Sequence, residues 1–148
     1  MTGIGAIRDR ATTPNETTLD RQRGREPTTT MEIRIVRDGI TKAALNEIAK
    51  QQFGDMVKAV VDVEQGIMAI GGELHSDEEA VLLDQGSMQK DLWGINFYPE
   101  RPPSEWIEFD SLINIRPSQR NRSRAVECVD IRQSITAIVT RLVQGEAT

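Results

Sequence analysis

The residue types best suited to chemistry lie where a predicted strand gives way to a predicted helix. Glu73, His75 and Asp77 are spaced two apart, and side chains two apart on a strand project from the same face. A carboxylate next to an imidazole can orient the ring or join it in binding a divalent metal. These three residues are therefore candidate catalytic residues and candidate metal ligands. The chain has no second histidine, so the pattern favours the plainer interpretation of a solvated junction.

A second group of chemically suited residues is a segment rich in arginine. Residues 116–124 read RPSQRNRSR and contain four arginines and no acid. Guanidinium groups, hydroxyls and flexible backbone amides are suited to binding phosphate. The alternative is that the arginines pair with Asp77, Glu78, Glu79 or Asp84 and only anchor the loop, which the pattern favours because exposed ion pairs are common. The candidate ligand-binding residues are Asn114, Arg116, Ser118, Asn121, Arg122 and Arg124.

The charge of the chain is distributed unevenly. The 148 residues carry 18 basic and 23 acidic side chains, a net charge of −5. Residues 1–30 hold five arginines and four acids, which leaves 13 basic and 19 acidic side chains, a net charge of −6, for residues 31–148. The arginine segment is thus a basic patch on an acidic domain, suited to an anionic small molecule or an acidic protein. Nucleic acid is disfavoured as a partner, because no aromatic side chain lies within the segment to stack on a base.

Several other sites and locations are disfavoured. The glycines at 71 and 72 lack the spacing of a dinucleotide or P-loop motif, so no cofactor is identified. Cys128 is the single cysteine, so no internal disulfide can form, as is typical of a reducing cytoplasm. The apolar runs fall far short of the roughly 20 residues of a membrane span, and residues 1–30 lack the apolar centre of a secretory signal. The expected location is the cytoplasm, without a membrane partner.

The periodic pattern that positions these residues begins at Met31. Residues 1–30 contain eight threonines and two prolines and few large apolar side chains, so they are expected to form a disordered tail. Residues 31–148 are expected to form a single α+β domain with a mostly antiparallel sheet. The predicted element order is βαββαββα, and its first six elements match a ferredoxin-like split unit with one open sheet face.

Local patterns predict the individual elements. A strand is expected over Glu32–Val36, and a helix capped by Thr41, with a buried stripe of Leu45, Ile48, Ala49 and Phe53, is expected to end at Gly54. Strands are expected over Val57–Glu64 and Ile67–His75, joined by the two-residue loop Gln65-Gly66, which pairs Val61 with Ile70 and Val63 with Met68. On the other face this register pairs Lys58 with Glu73, and it directs Glu73 and His75 away from the core.

The second half of the domain is predicted in the same way. Ser76 and Glu79 form a capping box for a helix that Gly86 ends. Strands are expected over Leu92–Tyr98 and, as the longest of the sheet, Trp106–Arg116. A final helix capped by Asp130 carries Ile131, Ile135, Ile138 and Leu142 on one stripe. The polar side chains expected to share the open sheet face are Glu73, His75, Asn96, Tyr98, Glu108, Asp110, Asn114 and Arg116.

Three stretches carry a resemblance to a known family. They read VKAVVDVEQGIMAIGGELHSDEE from Val57, DLWGINFYPE from Asp91 and WIEFDSLINIRPSQRNRSR from Trp106. They resemble a small bacterial family of unknown function, number 5674 among such families, over roughly residues 31–143. The resemblance implies no activity. The family's pattern has glycine at the positions of Arg120 and Ala125, so the loop is expected to be stiffer and more basic here.

Three hypotheses for the function remain open at this point. The favoured one is a module that binds a phosphorylated or otherwise anionic ligand through the arginine segment beside the polar sheet face. The second is a metal-assisted phosphoester hydrolase that uses Glu73, His75 and Asp77. The third is a protein-interaction module. The sequence identifies neither a reaction nor an oligomeric state.

Overall fold

The computed structural model describes residues 32–144. The predicted disordered tail of residues 1–30 lies outside this range, and the boundary at Met31 stays a prediction. The described elements are, in chain order, β1 (Arg34–Val36), β2 (Ile40–Thr41), α1 (Lys42–Gln51), β3 (Val57–Asp62), β4 (Ile67–Ile70), α2 (His75–Asp84), β5 (Leu92–Phe97), β6 (Ile107–Glu108), α3 (Val129–Leu142) and β7 (Val143–Gln144). Three short 3₁₀ helices lie at Gln89–Asp91, Leu112–Asn114 and Pro117–Gln119. No helix among the described residues is long and apolar enough to cross a bilayer.

The main sheet has five strands in the order β1-β4-β3-β5-β6, and every neighbouring pair is antiparallel. This confirms the α+β class and the mostly antiparallel sheet. The ferredoxin-like arrangement places the fourth strand of its six elements beside the first, whereas β5 here lies beside β3, so that part of the prediction is wrong. Both helical crossovers, from β1 to β3 and from β4 to β5, still skip one intervening strand.

A second, two-stranded sheet joins the beginning and the end of the described chain. β2 and β7 pair in parallel, with Ile40 opposite Val143 and Thr41 opposite Gln144. Thr41 is also the N-cap of α1, as predicted, because its Oγ1 accepts a hydrogen bond of 3.1 Å from the backbone N of Ala44. The capping hydroxyl therefore fixes the start of α1 directly next to this strand pair.

Both faces of the main sheet are buried, so the prediction of an open face is wrong. On one face Leu82 of α2 packs with Val60, Ala69 and Leu92. The alternate side chains, such as Ile95, are equally inaccessible to solvent. The stripes Leu45, Ile48 and Ala49 of α1 and Ile135, Val139 and Leu142 of α3 are also buried. Phe53 was expected in the stripe of α1, but it lies beyond the end of the helix and is 40% exposed.

The β3–β4 hairpin has a longer turn and a different register than its sequence predicts. Val61 pairs with Met68, two residues away from the predicted register, and a four-residue turn replaces the loop Gln65-Gly66. The cause is the buried carboxylate of Asp62, whose Oδ1 accepts hydrogen bonds of 2.9 Å from the backbone N atoms of Glu64 and Gln65. A side chain that binds two turn amides ends the strand early. The shift is by an even number, so each side chain keeps its predicted face.

The predicted long strand Trp106–Arg116 is wrong beyond Glu108. Only Ile107 and Glu108 pair with β5, and a 3₁₀ helix follows at Leu112–Asn114. Where the predicted strand would have paired with β5, the side-chain amide of Asn114 binds the β5 backbone. Its Oδ1 accepts a hydrogen bond from Gly94 N at 2.8 Å, and its Nδ2 donates to Gly94 O at 3.0 Å. We call this contact the Asn114 amide bridge.

The starts of α2 and α3 differ from the predicted caps. α2 begins at His75 with Leu74 as the N-cap residue, and no side chain caps it. Glu78, one turn into the helix, instead bends back so that its Oε2 accepts a hydrogen bond of 2.9 Å from Gly72 N. α3 begins at Val129, and Asp130 lies in its first turn rather than at the cap. The predicted capping box and the Asp130 cap are therefore wrong.

Candidate functional site

A cleft of about 360 Å³ lies between the N-terminus of α2 and the segment that follows β6. One wall comes from α2 and the residue before it, a second from β3 and β5, and a third from the segment 110–124. The lining residues are Met56, Lys58, Leu74, His75, Ser76, Asn96, Asp110, Ser111, Leu112, Ile113 and Arg124. The main sheet thus supplies a rigid base for side chains that come from four different parts of the chain.

His75 is the buried member of this group. Its Nε2 lies 2.7 Å from the carbonyl oxygen of Ile95, and because a carbonyl only accepts hydrogen bonds, Nε2 carries the proton. A methyl group placed on Gly94 would come within 3.2 Å of the ring's Cδ2, so the Nε2–Cδ2 edge faces β5. The opposite edge carries Nδ1, which makes no hydrogen bond with any residue in the described range. Nδ1 therefore offers its lone pair to the cleft.

The surroundings of His75 favour the neutral ring. Burial lowers the pKa of His75 below its ordinary 6.5, and the hydrogen bond to Ile95 opposes this effect. The charge of Lys58 lowers the pKa further, Asp110 raises it and Arg124 lowers it. The imidazole is consequently neutral at pH 7, with a proton on Nε2 and a lone pair on Nδ1.

Two cations line the same cleft. Lys58 projects from β3 on the side of the sheet that carries Asn96. Arg124 donates from Nε to Asp110 Oδ1 at 2.5 Å, and this contact raises the pKa of Arg124 above its ordinary range. Its two Nη groups make no hydrogen bond within residues 32–144. The pair with Asp110 therefore orients the guanidinium while leaving donors for a ligand.

The N-terminus of α2 adds backbone donors to this cleft. The N–H groups of Asp77 and Glu78 both point to Leu74 O, whereas those of His75 and Ser76 have no acceptor within the described part of the chain. A leucine at the N-cap cannot satisfy them. Such unsatisfied amides favour a negative charge.

The mouth of the cleft is apolar. Leu74 and Leu112 line it and are 54% and 67% exposed. Large apolar side chains exposed next to a cleft are typical of ligand-binding surfaces.

Comparison with known proteins identifies the family. The model of a family described as a protein of unknown function (DUF5674) matches residues 34–142, which is most of the chain. The chain belongs to the DUF5674 family. This confirms the resemblance predicted from the three sequence stretches. No curated protein and no solved structure matches the chain.

Of the predicted group Glu73, His75 and Asp77, the DUF5674 domain places only His75 in the cleft. His75 lines the cleft, but it lies in α2 rather than on a strand, and it is buried rather than directed away from the core. Glu73 and Asp77 are exposed and line no part of the cleft. Within residues 32–144 no group of three His, Cys, Asp or Glu side chains is arranged to bind a metal ion.

Three of the predicted ligand-binding residues use their polar atoms inside the domain. Asn114 forms the bridge to Gly94 and also donates to Arg124 O. Asn121 donates to the carbonyls of Asn114 and Ala125 at 2.7 Å. Arg116 donates to the carbonyls of Gln89 and Leu92, and its guanidinium lies 4.2 Å from the centre of the Trp93 ring. The arginine segment is therefore anchored mainly by backbone carbonyls rather than by the acids of α2.

Two further members of the segment, Ser118 and Arg122, lie outside the cleft. Ser118 and Arg122 are exposed. The backbone N atoms of Arg122 and Ser123 donate to Glu127 Oε2 at 3.0 and 2.9 Å. The pKa of Glu127 is lowered by the Ser123 side chain first and by these backbone contacts. Arg124 alone among the arginines of the segment lines the cleft with His75.

Lys58 is the functional candidate that the sequence prediction missed. Its neighbours Val57 and Ala59 are apolar, and we expected it to pair with Glu73 across the hairpin. The usable signal was a lysine in the middle of an otherwise buried strand, because a charge rarely occupies such a position without a specific contact.

Proposed function

We propose that the protein binds a small anionic ligand, a phosphorylated or carboxylated molecule, in the cleft beside His75. The observation that carries the proposal is the convergence of two cations, Lys58 and Arg124, on one cleft lined also by His75, whose Nδ1 has no hydrogen-bond partner among residues 32–144. These three side chains come from β3, the segment 110–124 and α2, so the sheet and its attached loops preorganise them.

The charge distribution supports an anion over a neutral ligand. Residues 31–148 carry a net charge of −6, yet the cleft holds two cations against one carboxylate, that of Asp110. A local excess of positive charge in a concave site attracts anions more strongly than the same charges on an open surface. Within the described residues the Nη groups of Arg124 and the backbone N–H groups of His75 and Ser76 make no hydrogen bond, so they can act as donors to a ligand.

The exposed leucines at the mouth support a ligand with an organic portion. A bare inorganic ion would leave Leu74 and Leu112 in contact with water, whereas an organic phosphate or carboxylate would cover them. Inorganic phosphate is therefore a minimal probe of the anion subsite.

The proposal is tested by thermal unfolding of the full-length protein in phosphate, sulfate and acetate, compared with chloride at equal ionic strength. At ten times the dissociation constant, binding stabilises the native state by about 1.4 kcal/mol, which corresponds to a rise of roughly 4–6 °C in melting temperature. Lys58→Met and Arg124→Met should each remove most of this rise. Arg122→Met is the matched control, because it removes an exposed arginine of the same loop that does not line the cleft.

Two results would contradict the proposal. If none of the three anions raises the melting temperature of the wild type, the cleft does not bind small anions. If Arg122→Met removes the rise as completely as Arg124→Met does, the anion binds to the outer surface of the loop instead.

A further inference from the structure

We propose that His75 accepts a phosphoryl group on Nδ1 from a small acyl phosphate that binds in the cleft. This inference rests on the proposed function, because the phosphoryl group must occupy the anion subsite before it reacts. It makes His75 a modification site as well as part of a binding site.

The orientation of the ring selects one nitrogen as the nucleophile. Nε2 is bound as a donor to Ile95 O at 2.7 Å, and the edge that contains it is packed against Gly94. Nδ1 carries the lone pair and has no partner among residues 32–144. A neutral imidazole whose second nitrogen is held by a carbonyl cannot rotate to exchange its two nitrogens. The cleft therefore presents a single, fixed nucleophilic atom.

The surroundings of Nδ1 suit an entering phosphoryl group. Lys58 and Arg124 line the same cleft, and both lie near enough for their charges to act on the imidazole. The uncapped N-terminus of α2 begins at His75 itself. Cations and backbone amides in these positions stabilise the equatorial oxygens of a transferring phosphoryl group.

The phosphoryl transfer needs no reactant other than His75 and the acyl phosphate. The Nδ1 lone pair forms the N–P bond while the P–O bond to the acyl oxygen breaks, and that electron pair leaves with the carboxylate product. No proton has to move, because Nε2 keeps its proton and the ring becomes an imidazolium. The positive charge strengthens the hydrogen bond from Nε2 to Ile95 O. A carboxylate is a good leaving group, so the reaction requires no general acid.

The experiment uses acetyl phosphate and the full-length protein at pH 7.5. Because His75 is the one histidine in the chain, intact-mass spectrometry should show addition of a single phosphoryl group that mild acid removes. Fragmentation of the intact adduct should assign the group to His75, and phosphorus NMR should show a phosphoramidate signal. Acetyl groups transferred to lysines differ in mass and are stable to acid.

Variants separate the nucleophile from its surroundings. His75→Gln keeps an N–H donor for Ile95 O but has no nucleophilic nitrogen, so the acid-labile adduct should disappear while the melting temperature changes little. Lys58→Met and Arg124→Met should slow the modification at least about tenfold. Arg122→Met should react at the wild-type rate.

The outcomes distinguish this inference from the proposed function. A wild type that is stabilised by phosphate but forms no acid-labile adduct overturns phosphoryl transfer and leaves anion binding intact. An adduct that persists in His75→Gln, or that fragmentation assigns to another residue, also overturns the inference. Should His75→Gln fail to fold, the fragmentation and NMR assignments on the wild type still decide the question.

Discussion

His75 and Glu78 lie one helical turn apart in α2, and burial moves their pKa values in opposite directions. Burial lowers the pKa of His75 and raises that of Glu78 well above its ordinary 4.5. Both shifts favour the neutral form of the side chain. The first turn of α2 therefore holds a base on the cleft side and a buried acid, and the surroundings of both disfavour charge.

Glu78 should make the stability of the protein depend on pH. Below pH 4.5 the carboxyl is protonated in both the folded and unfolded states, so it has no effect. As the pH rises above 4.5, the unfolded state loses the proton first, and the free energy of unfolding falls by at most about 1.4 kcal/mol per pH unit until the raised pKa is reached. The hydrogen bond from Gly72 reduces this loss but does not reverse it.

Replacement of Glu78 by glutamine should remove this loss. The glutamine carbonyl can still accept from Gly72 N, and the variant should be more stable than the wild type at pH 8 and equally stable near pH 4.5. Urea denaturation between pH 4.5 and 8 measures the difference. Glu79→Gln, at the adjacent position, is the control and should follow the wild-type curve; a Glu78→Gln curve parallel to the wild type would contradict the prediction.

Arg120 adopts a backbone conformation that suits glycine. Its φ of 63° and ψ of 29° lie in the left-handed region, where a side chain costs about 1–2 kcal/mol. Glycine has no such cost but loses more chain entropy on folding, so Arg120→Gly should stabilise the protein by up to about 1 kcal/mol. Chemical denaturation checks this, with Arg122→Gly as a control that should destabilise. The sequence resemblance, which places glycine at position 120, agrees with this geometry.

At the scale of elements, side chains rather than strands complete the sheet next to the cleft. β6 ends at Glu108, and the Asn114 amide bridge continues the hydrogen bonding of β5 at Gly94. Asn121 in turn binds Asn114 O. Because Asn114 also donates to Arg124 O, the bridge fixes the backbone of the arginine that lines the cleft.

The bridge gives Asn114→Asp a large expected effect. Aspartate cannot donate to Gly94 O or Arg124 O, and it places a charge at a site with no solvent exposure. We expect a loss of at least about 3 kcal/mol in the free energy of unfolding at pH 7, measured by urea denaturation. Gln133→Glu makes the same chemical change at an exposed position of α3 and should have almost no effect. A loss below about 1 kcal/mol for Asn114→Asp would show that the bridge is not a major stabilising contact.

These elements also show what periodicity can and cannot predict. The alternation in Val57–Asp62 and the spacing of Leu45, Ile48 and Ala49 identified a strand and a helix correctly, because each reflects contact with one continuous apolar surface. The turn at Asp62 and the bridge at Asn114 were missed. The Asp62 side chain binds turn amides only two and three residues ahead, whereas Asn114 reaches Gly94, 20 residues away. The spacing of apolar residues signals neither contact, because both depend on polar side chains that bind the backbone.

At the scale of the whole molecule, the candidate site could be predicted only in part. His75 and Arg124 were chosen for their chemistry, and both line the cleft. These two residues are 49 positions apart in the chain, and the order of the strands in the sheet brings them together. The sequence could not predict this order, because several strand orders fit the same alternation of apolar and polar residues. Lys58 was missed because it was expected to pair with Glu73 across the hairpin, whereas in the structure it lies opposite Asn96 of β5.

The parallel pairing of β2 and β7 has a mechanical consequence for the domain. Ile40 and Thr41 lie near the start of the described chain, and Val143 and Gln144 lie at its end. Because the two strands are parallel, a force that pulls the N-terminal end of β2 away from the C-terminal end of β7 acts along the strands. All the hydrogen bonds of the pair would therefore bear the force at the same time, in shear, instead of breaking one after another. We expect this short sheet to resist forces that pull its two strands apart along their length.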